Sequence, residues 1–412
     1  MLLTAALVGC DGAPEPAPPA EETPPAAQPA SPADTGGTAT DARRPAGYAP
    51  RPGEPWVRRD PEELGMDPYL LGEAVEYALA HETTEIPEDP GAYLRERFQG
   101  LPDQEIVGPT VHRGGVSGIV LKDGYIVAEW GDTDREDMTF SVTKSYLSTL
   151  AGLAWAEGLI PDLDGPVSEL VPGATLAGER NRTITWRHLL QQTSEWEGTL
   201  FGKPDRADRR EGIDRTLQTP GTFWEYNDVR VNLLAYALLL RFERPLPEVL
   251  AEAVMNPIGA SDGWRWHGYR TSWVEVDGRR VQSVSGGGHW GGGLFIDTED
   301  HARFGLLALR SGRWGDRQVL PAAWFSLATT PTAIKPDYGF MWWLNTDRAL
   351  LPAAPASAFM AVGAGWTNVI YIDREHQLVT VTRWLDGPEH VNEFVARVLE
   401  AVDAEPAPGD GG

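Results

Sequence analysis

Apolar positions along the chain follow two rhythms. From 117 to 121 they run nearly unbroken (Ser117-Gly118-Ile119-Val120-Leu121), and after Asp123-Gly124 they resume over Tyr125 to Trp130. Two such runs around an Asp-Gly pair predict a β-hairpin with a tight turn. A helical rhythm takes over from about 141 to 157, where Tyr146, Leu147, Leu150, Ala151, Leu153 and Ala154 make it strongly apolar and Gly158 stops it. Helical spacing recurs over 186–191, 229–242 and 246–254. Strand signals return late, over 338–345, 358–362, 367–373 and 377–384, before an amphipathic helix over 389–404. Strands at both ends with helices between predict an α+β fold: one antiparallel sheet assembled from the two ends of the chain and flanked by helices, plus a mainly helical lobe at about 160–285.

Both rhythms are missing at the termini. Residues 11–50 are Pro, Ala, Glu, Thr and Gly with almost no large apolar side chain, which predicts an extended linker. Residues 405–412 read as an unstructured tail, leaving 51–404 as the folded domain. The apolar run Leu2 to Val8 ends in Leu7-Val8-Gly9-Cys10, which looks like the cleavage box of a bacterial lipoprotein signal. Residues 1–10 are therefore expected to be a signal and Cys10 to carry the lipid, tethering the domain in the cell envelope, periplasmic or extracellular. The competing reading is an apolar N-terminus with an incidental cysteine. No other stretch reaches the roughly 18 apolar residues of a spanning helix, so any membrane contact rests on that lipid.

Charge and composition then narrow the chemistry. With 35 basic against 60 acidic residues the net charge is −25, which repels phosphate backbones and argues against a nucleic-acid partner. Cys10 is the single cysteine, so no internal disulfide or cysteine-based metal cluster forms. The histidines lack metal-ligand spacing such as His-Glu-x-x-His, and neither metal nor cofactor is expected. No Gly-x-Ser-x-Gly elbow occurs either. Lysine is restricted to Lys122, Lys144, Lys203 and Lys335.

One of those lysines closes Ser141-Val142-Thr143-Lys144 at the start of the apolar helix. Residues three apart share a helix face, and a serine in the first turn lies where N–H groups are unpaired and the dipole is positive. A lysine with a lowered pKa can then take the serine proton. A second candidate, Tyr226, follows the Pro220-Gly221 turn at the start of the next helix, where a phenol near an ammonium would ionise more easily and shuttle a proton. Packing in the core is the commoner role for a tyrosine among tryptophans. Two glycine-rich segments, 286–293 and 363–365, allow close approach of a backbone or ligand. An N–H near Gly363 and that of Ser141 could together form an oxyanion hole. His289, inside the first segment, is expected to bind substrate or to serve the structure. Asp297-Thr298-Glu299-Asp300 reads as a helix cap and not as a carboxylate pair.

Taken in order, Phe140-Ser141-Val142-Thr143-Lys144-Ser145, Gln192-Thr193-Ser194, Pro220-Gly221-Thr222…Tyr226 and Gly291-Gly292-Gly293-Leu294…Asp300…Ala302-Arg303-Phe304 resemble the beta-lactamase-related serine hydrolases. That group includes class C beta-lactamases, D-Ala-D-Ala carboxypeptidases, related esterases and 6-aminohexanoate-dimer hydrolases. The resemblance covers roughly 100–400 and implies an α/β lobe, a helical lobe and a cleft between them. It implies Ser141 as the acylated nucleophile, Lys144 as base and Tyr226 as the tyrosine of a Tyr-x-Asn motif. Two positions depart from the pattern. Asp228 stands where a neutral Asn is usual, and Ala361-Val362-Gly363 replaces the Lys-Thr-Gly or His-Thr-Gly of the sheet edge. With that cation missing and Asp228 negative, a neutral or cationic small-molecule ester or amide is expected rather than a beta-lactam or a peptide carboxylate. Asp228, His289, Gly363, Ala364 and Trp366 are the expected substrate contacts, and Trp196, Trp224, Trp290 and Trp366 could form an aromatic pocket. The alternatives are a beta-lactamase or D-Ala-D-Ala carboxypeptidase, and a non-catalytic envelope binding protein of the same fold.

Overall fold

Asp123 and Gly124 both take positive φ, 53° and 93°, which gives the tight turn expected between the first two strands. The computed structural model describes residues 47–101, 103–171 and 173–404. Cys10 with the proposed signal, most of the linker and the 405–412 tail lie outside the described residues. Residues 47–50, expected in the linker, instead pack on the body: Tyr48 stacks on Tyr125 at 4.4 Å and Trp314 Nε1 donates to the Pro50 carbonyl at 3.0 Å.

Helices α1 (Pro68–Ala80) and α2 (Pro90–Arg97) precede the hairpin β1 (Ser117–Lys122) and β2 (Tyr125–Trp130). The short β3 (Asp137–Met138) leads into α3 (Thr143–Ala156), followed by α4 (Trp186–Leu190) and α5 (Asp228–Phe242). A long hairpin follows, β4 (Arg265–Val276) with β5 (Arg279–Val284), then β6 (Gly293–Ile296) and α6 (Thr298–Leu309). The chain closes with β7 (Trp343–Leu344), β8 (Phe359–Val362), β9 (Asn368–Asp373), β10 (Leu378–Arg383) and α7 (Gly387–Asp403). The main sheet has the order β7-β8-β9-β10-β1-β2, every neighbouring pair antiparallel. The expected joining of the two chain ends is the β1–β10 ladder, with Ile119 opposite Val381 and Leu121 opposite Val379.

Alternation along the strands separates two cores. Ile119, Leu121, Ile370, Val379 and Val381 face one core with α3, α5 and α6, while Val120, Val369 and Tyr371 face the other with α1 and α7. Inside α6 a Cβ on Gly305 would meet Val379 and Ile370 side-chain carbons at 2.6 and 2.9 Å, so the helix lies directly on the sheet.

Two expected elements differ. Region 160–285 is not wholly helix and loop, because β4 and β5 form a hairpin whose turn residues Asp277 and Gly278 take φ of 47° and 70°. The segment 338–345 is not a full strand: Gly339 N–H donates to the Trp342 carbonyl, Met341 takes φ 62°, and only Trp343 and Leu344 join the sheet.

The 297–300 segment caps α6 as expected, Asp297 Oδ1 accepting from the Asp300 N–H at 2.6 Å. It is a carboxylate pair as well, contrary to the sequence expectation. Ser261 Oγ lies 2.8 Å from Asp300 and 3.3 Å from Asp297, and burial with the Asp300 charge pushes the Asp297 carboxyl up to about 7. An unfolded aspartate deprotonates near 3.8, so between 3.8 and about 7 unfolding releases a proton and stability falls as pH rises. Asp297→Asn keeps the capping oxygen. It is expected to stabilise the protein by about 1–2 kcal/mol near pH 8, a gain that shrinks toward pH 4. Thermal unfolding at the two pH values checks this, and an equal effect at both would refute it.

Candidate active site

Ser141 sits in the 3-10 turn Phe140–Val142 that opens α3. Phe140 before it takes φ 49°, a left-handed conformation that costs a bulky residue about 1–3 kcal/mol. The surroundings hold it. His301 on α6 is within hydrogen-bond distance of Thr139 Oγ1 at 2.8 Å and the Tyr146 hydroxyl at 2.9 Å, and the Thr139 N–H donates to the Leu294 carbonyl.

One turn along α3, Lys144 donates from Nζ to Ser141 Oγ at 2.8 Å and to Asp228 Oδ1 at 2.7 Å. Lys144 and Asp228 are almost wholly buried, their side chains 1% and 2% exposed. Asn227 caps α5 by accepting from the Val229 and Arg230 N–H groups, and this fixes Asp228 in the first helical turn, facing the lysine. Asp228 Oδ2 accepts from the His289 N–H at 3.2 Å, and the Asp228 N–H donates to Asp208 at 2.6 Å. Asn232, one turn further, accepts from the Gly286 N–H at 2.8 Å and so pins the glycine loop against the pair.

Burial lowers the Lys144 pKa, and the Asp228 charge offsets this only in part. Burial pushes the Asp228 carboxyl up, but Lys144, His289 and Arg210 together hold it below the usual value. Burial also lowers the His289 pKa, against the opposing charges of Asp208 and Asp228. Tyr226 differs from its sequence expectation. Lys144 Nζ lies 4.6 Å from the centre of its ring, so the ammonium meets the π-face. Burial and Asp228 raise the phenol pKa more than its hydrogen bond with Ser141 lowers it. A neutral phenol beside the serine can donate or relay a proton, but it does not ionise easily.

Because Asp228 raises the Lys144 pKa, its removal has a definite sign. If Lys144 must be neutral to accept the serine proton, Asp228→Asn lowers that pKa, and the acid limb of the kcat/KM–pH profile moves to lower pH by about one unit or more. A limb that stays in place would show that another group titrates.

A cavity of about 360 Å³ opens over Ser141. Asp228, His289, Gly363, Ala364 and Trp366, the substrate contacts expected from the sequence, are all brought together in its lining. Of the four tryptophans, Trp224 and Trp366 are in the lining, whereas Trp196 and Trp290 are core residues, 0% and 1% exposed. The Gly363 N–H is already bonded to the Asn368 carbonyl at 2.7 Å, so Gly363 does not offer a free donor to an oxyanion. Ala364, the next residue in the lining, is the remaining candidate on that strand end.

Two expectations about charge are corrected. Asp228 is not a free anion facing substrate, since both of its oxygens are engaged by Lys144 and His289. Ala361 is buried in β8 and presents no cation, yet the cleft has two: Arg97, which is paired with Tyr93 and Glu85, and Arg210, whose guanidinium lies 4.7 Å from the Tyr226 ring centre. Arg210, Asp208, Trp343, the α2 residues Tyr93 and Arg97, and Phe98 just after α2 are site residues that sequence reading missed. The charged run Asp205 to Arg210, upstream of the Pro220-Gly221 turn that leads to Tyr226, was the available signal.

Comparison with known proteins gives three kinds of likeness. The family model described as Beta-lactamase matches residues 95–397. An uncharacterised protein of Alkalihalophilus pseudofirmus is 24% identical over 308 residues, which cover 68% of this chain and 86% of that one. Among solved structures, a penicillin-binding protein homologue from Caulobacter crescentus has a TM-score of 0.54 at 14% identity, covering 84% of this chain and 98% of its own. EstCE1, a hydrolase with promiscuous acyltransferase activity, has a TM-score of 0.52 at 16% identity over 82% of this chain and 99% of its own. A candidate 6-aminohexanoate-dimer hydrolase from Bacillus anthracis has a TM-score of 0.51 at 18% identity over 74% and 80%. At these identities the structures share the fold.

Proposed function

This chain belongs to the beta-lactamase family, and from that premise we propose that it is a serine hydrolase that cleaves a small-molecule ester or amide through an acyl-enzyme on Ser141. The observation that carries the reading is the 2.8 Å contact between Lys144 Nζ and Ser141 Oγ, made by a lysine whose pKa burial has lowered. Ser141 Oγ attacks the carbonyl carbon while Lys144 takes its proton. The Ser141 and Ala364 N–H groups stabilise the oxyanion, and neutral Tyr226 relays a proton to the leaving oxygen or nitrogen. Water then attacks the acyl-enzyme and releases the acid. The proposed setting is the cell envelope, with a lipid on Cys10 as tether; mass spectrometry of the mature N-terminus tests that part, and an unmodified Cys10 would overturn it.

The experiment for the chemistry is labelling with a fluorophosphonate probe followed by peptide mapping. Stoichiometric modification of Ser141 and turnover of a chromogenic ester are expected. A protein that stays unlabelled and inert toward esters would instead support the binding-protein alternative. Nitrocefin serves as the control for substrate branch, because hydrolysis as fast as that of esters would favour a beta-lactamase.

A further inference from the structure

Beside Lys144 and Arg210, the buried carboxylates Asp228 and Asp208 are already occupied. Asp228 accepts from Lys144 and from the His289 N–H, and Asp208 accepts from the Asp228 N–H and from Arg210 Nε at 3.2 Å. Arg210 uses only Nε in that contact. Among the described residues no hydrogen bond is made by its two terminal nitrogens, and its side chain is 45% exposed in the lining of the cavity. Its guanidinium is held over the ring of Tyr226, which itself contacts both Ser141 and Lys144.

A planar guanidinium with its outer fork unpaired and its position fixed by an aromatic face suits a carboxylate, which two parallel N–H donors can hold. We propose that Arg210 is a specificity-determining residue that binds a carboxylate carried by the substrate a short chain away from the scissile carbonyl. This rests on Ser141 being the nucleophile. It reverses the preference for neutral or cationic substrates that Ala361 and Asp228 suggest from sequence. Glu211, the other carboxylate in the lining, is exposed, where solvent and salt screen it more strongly.

Arg210 also helps lower the Lys144 pKa, so its replacement alters catalysis generally, and the test must read a ratio. The probes are two ester pairs that differ by one carboxylate: 4-nitrophenyl valerate against the 4-nitrophenyl monoester of glutaric acid, and phenyl acetate against 3-carboxyphenyl acetate. These place the charge on the acyl side and on the leaving side. Wild type is expected to favour the carboxylate member of at least one pair by on the order of tenfold to a hundredfold in kcat/KM, mainly through KM. Arg210→Gln is expected to erase that ratio and Arg210→Lys to keep part of it, while Glu211→Gln leaves it or increases it.

Absence of a preference in wild type, or a preference that survives Arg210→Gln, overturns the assignment. So does an equal loss on both members of each pair, which would mean that Arg210 only tunes Lys144. If the fluorophosphonate labels Ser141 while no carboxylate ester is favoured, the hydrolase reading stands and the Arg210 assignment falls. If Ser141 is not labelled, the hydrolase reading fails first and the assignment fails with it.

Discussion

Ser141→Ala is expected to lower kcat/KM for an activated ester by on the order of 10⁴-fold or more, because without the nucleophile no acyl-enzyme forms and only binding and oxyanion contacts remain. Its fold should be nearly unchanged. Ser141 gives up one hydroxyl, and Lys144 keeps its 2.7 Å bond to Asp228. That separates it from Lys144 substitutions, in which the buried Asp228 loses its partner at a cost of about 3–5 kcal/mol, so that lost activity and lost folding become mixed. Steady-state kinetics and thermal unfolding of Ser141→Ala, with the fluorophosphonate label as a third readout, give the check. Ester turnover that survives at the wild-type rate would place hydrolysis elsewhere in the molecule.

The contact between the proposed nucleophile and its proposed base was legible in the sequence because helical geometry is local. Ser141 and Lys144 are three residues apart on one helix, so their contact follows from the element alone. The sheet was legible for a similar reason: the alternation of Ile119, Val120 and Leu121 is a property of the strand. The β4–β5 hairpin, however, carries the same Asp-Gly signal at Asp277-Gly278 as the first hairpin does at Asp123-Gly124. It was missed because the surrounding residues read as a continuation of helix and loop. Asp228 illustrates the limit of sequence reading. Its position next to Tyr226 was visible, but its charge could be assigned to the cleft or to Lys144 only once α3 and α5 were seen side by side. Arg210 lies outside any helix or strand that would set its direction, and only the fold aims it over Tyr226.

Gly287→Ala is expected to reduce kcat by about 100-fold or more while the protein remains folded. A methyl group at this position lands on Lys144 Nζ and on the Asp228 carboxylate. The backbone of Gly287 is not in the left-handed region, so alanine brings no conformational strain of its own and the effect comes from contact. The loop has little freedom to retreat, since the Gly286 N–H is bonded to Asn232, the Gly288 N–H to Ser285 Oγ and the His289 N–H to Asp228. Lys144 is the more mobile partner: its terminal nitrogen moves, and the 2.8 Å contact with Ser141 lengthens. A displacement of about 1 Å at a reacting group is enough for a loss of that size. Because the substrate cavity is otherwise intact, KM for a neutral ester should change far less than kcat, whereas a general packing defect would lower Tm and activity together. Paired kinetics and calorimetry on Gly287→Ala distinguish the two. An unchanged kcat would mean that Lys144 does not need its present position to activate Ser141, which would remove the main geometric support for the pair as a catalytic unit.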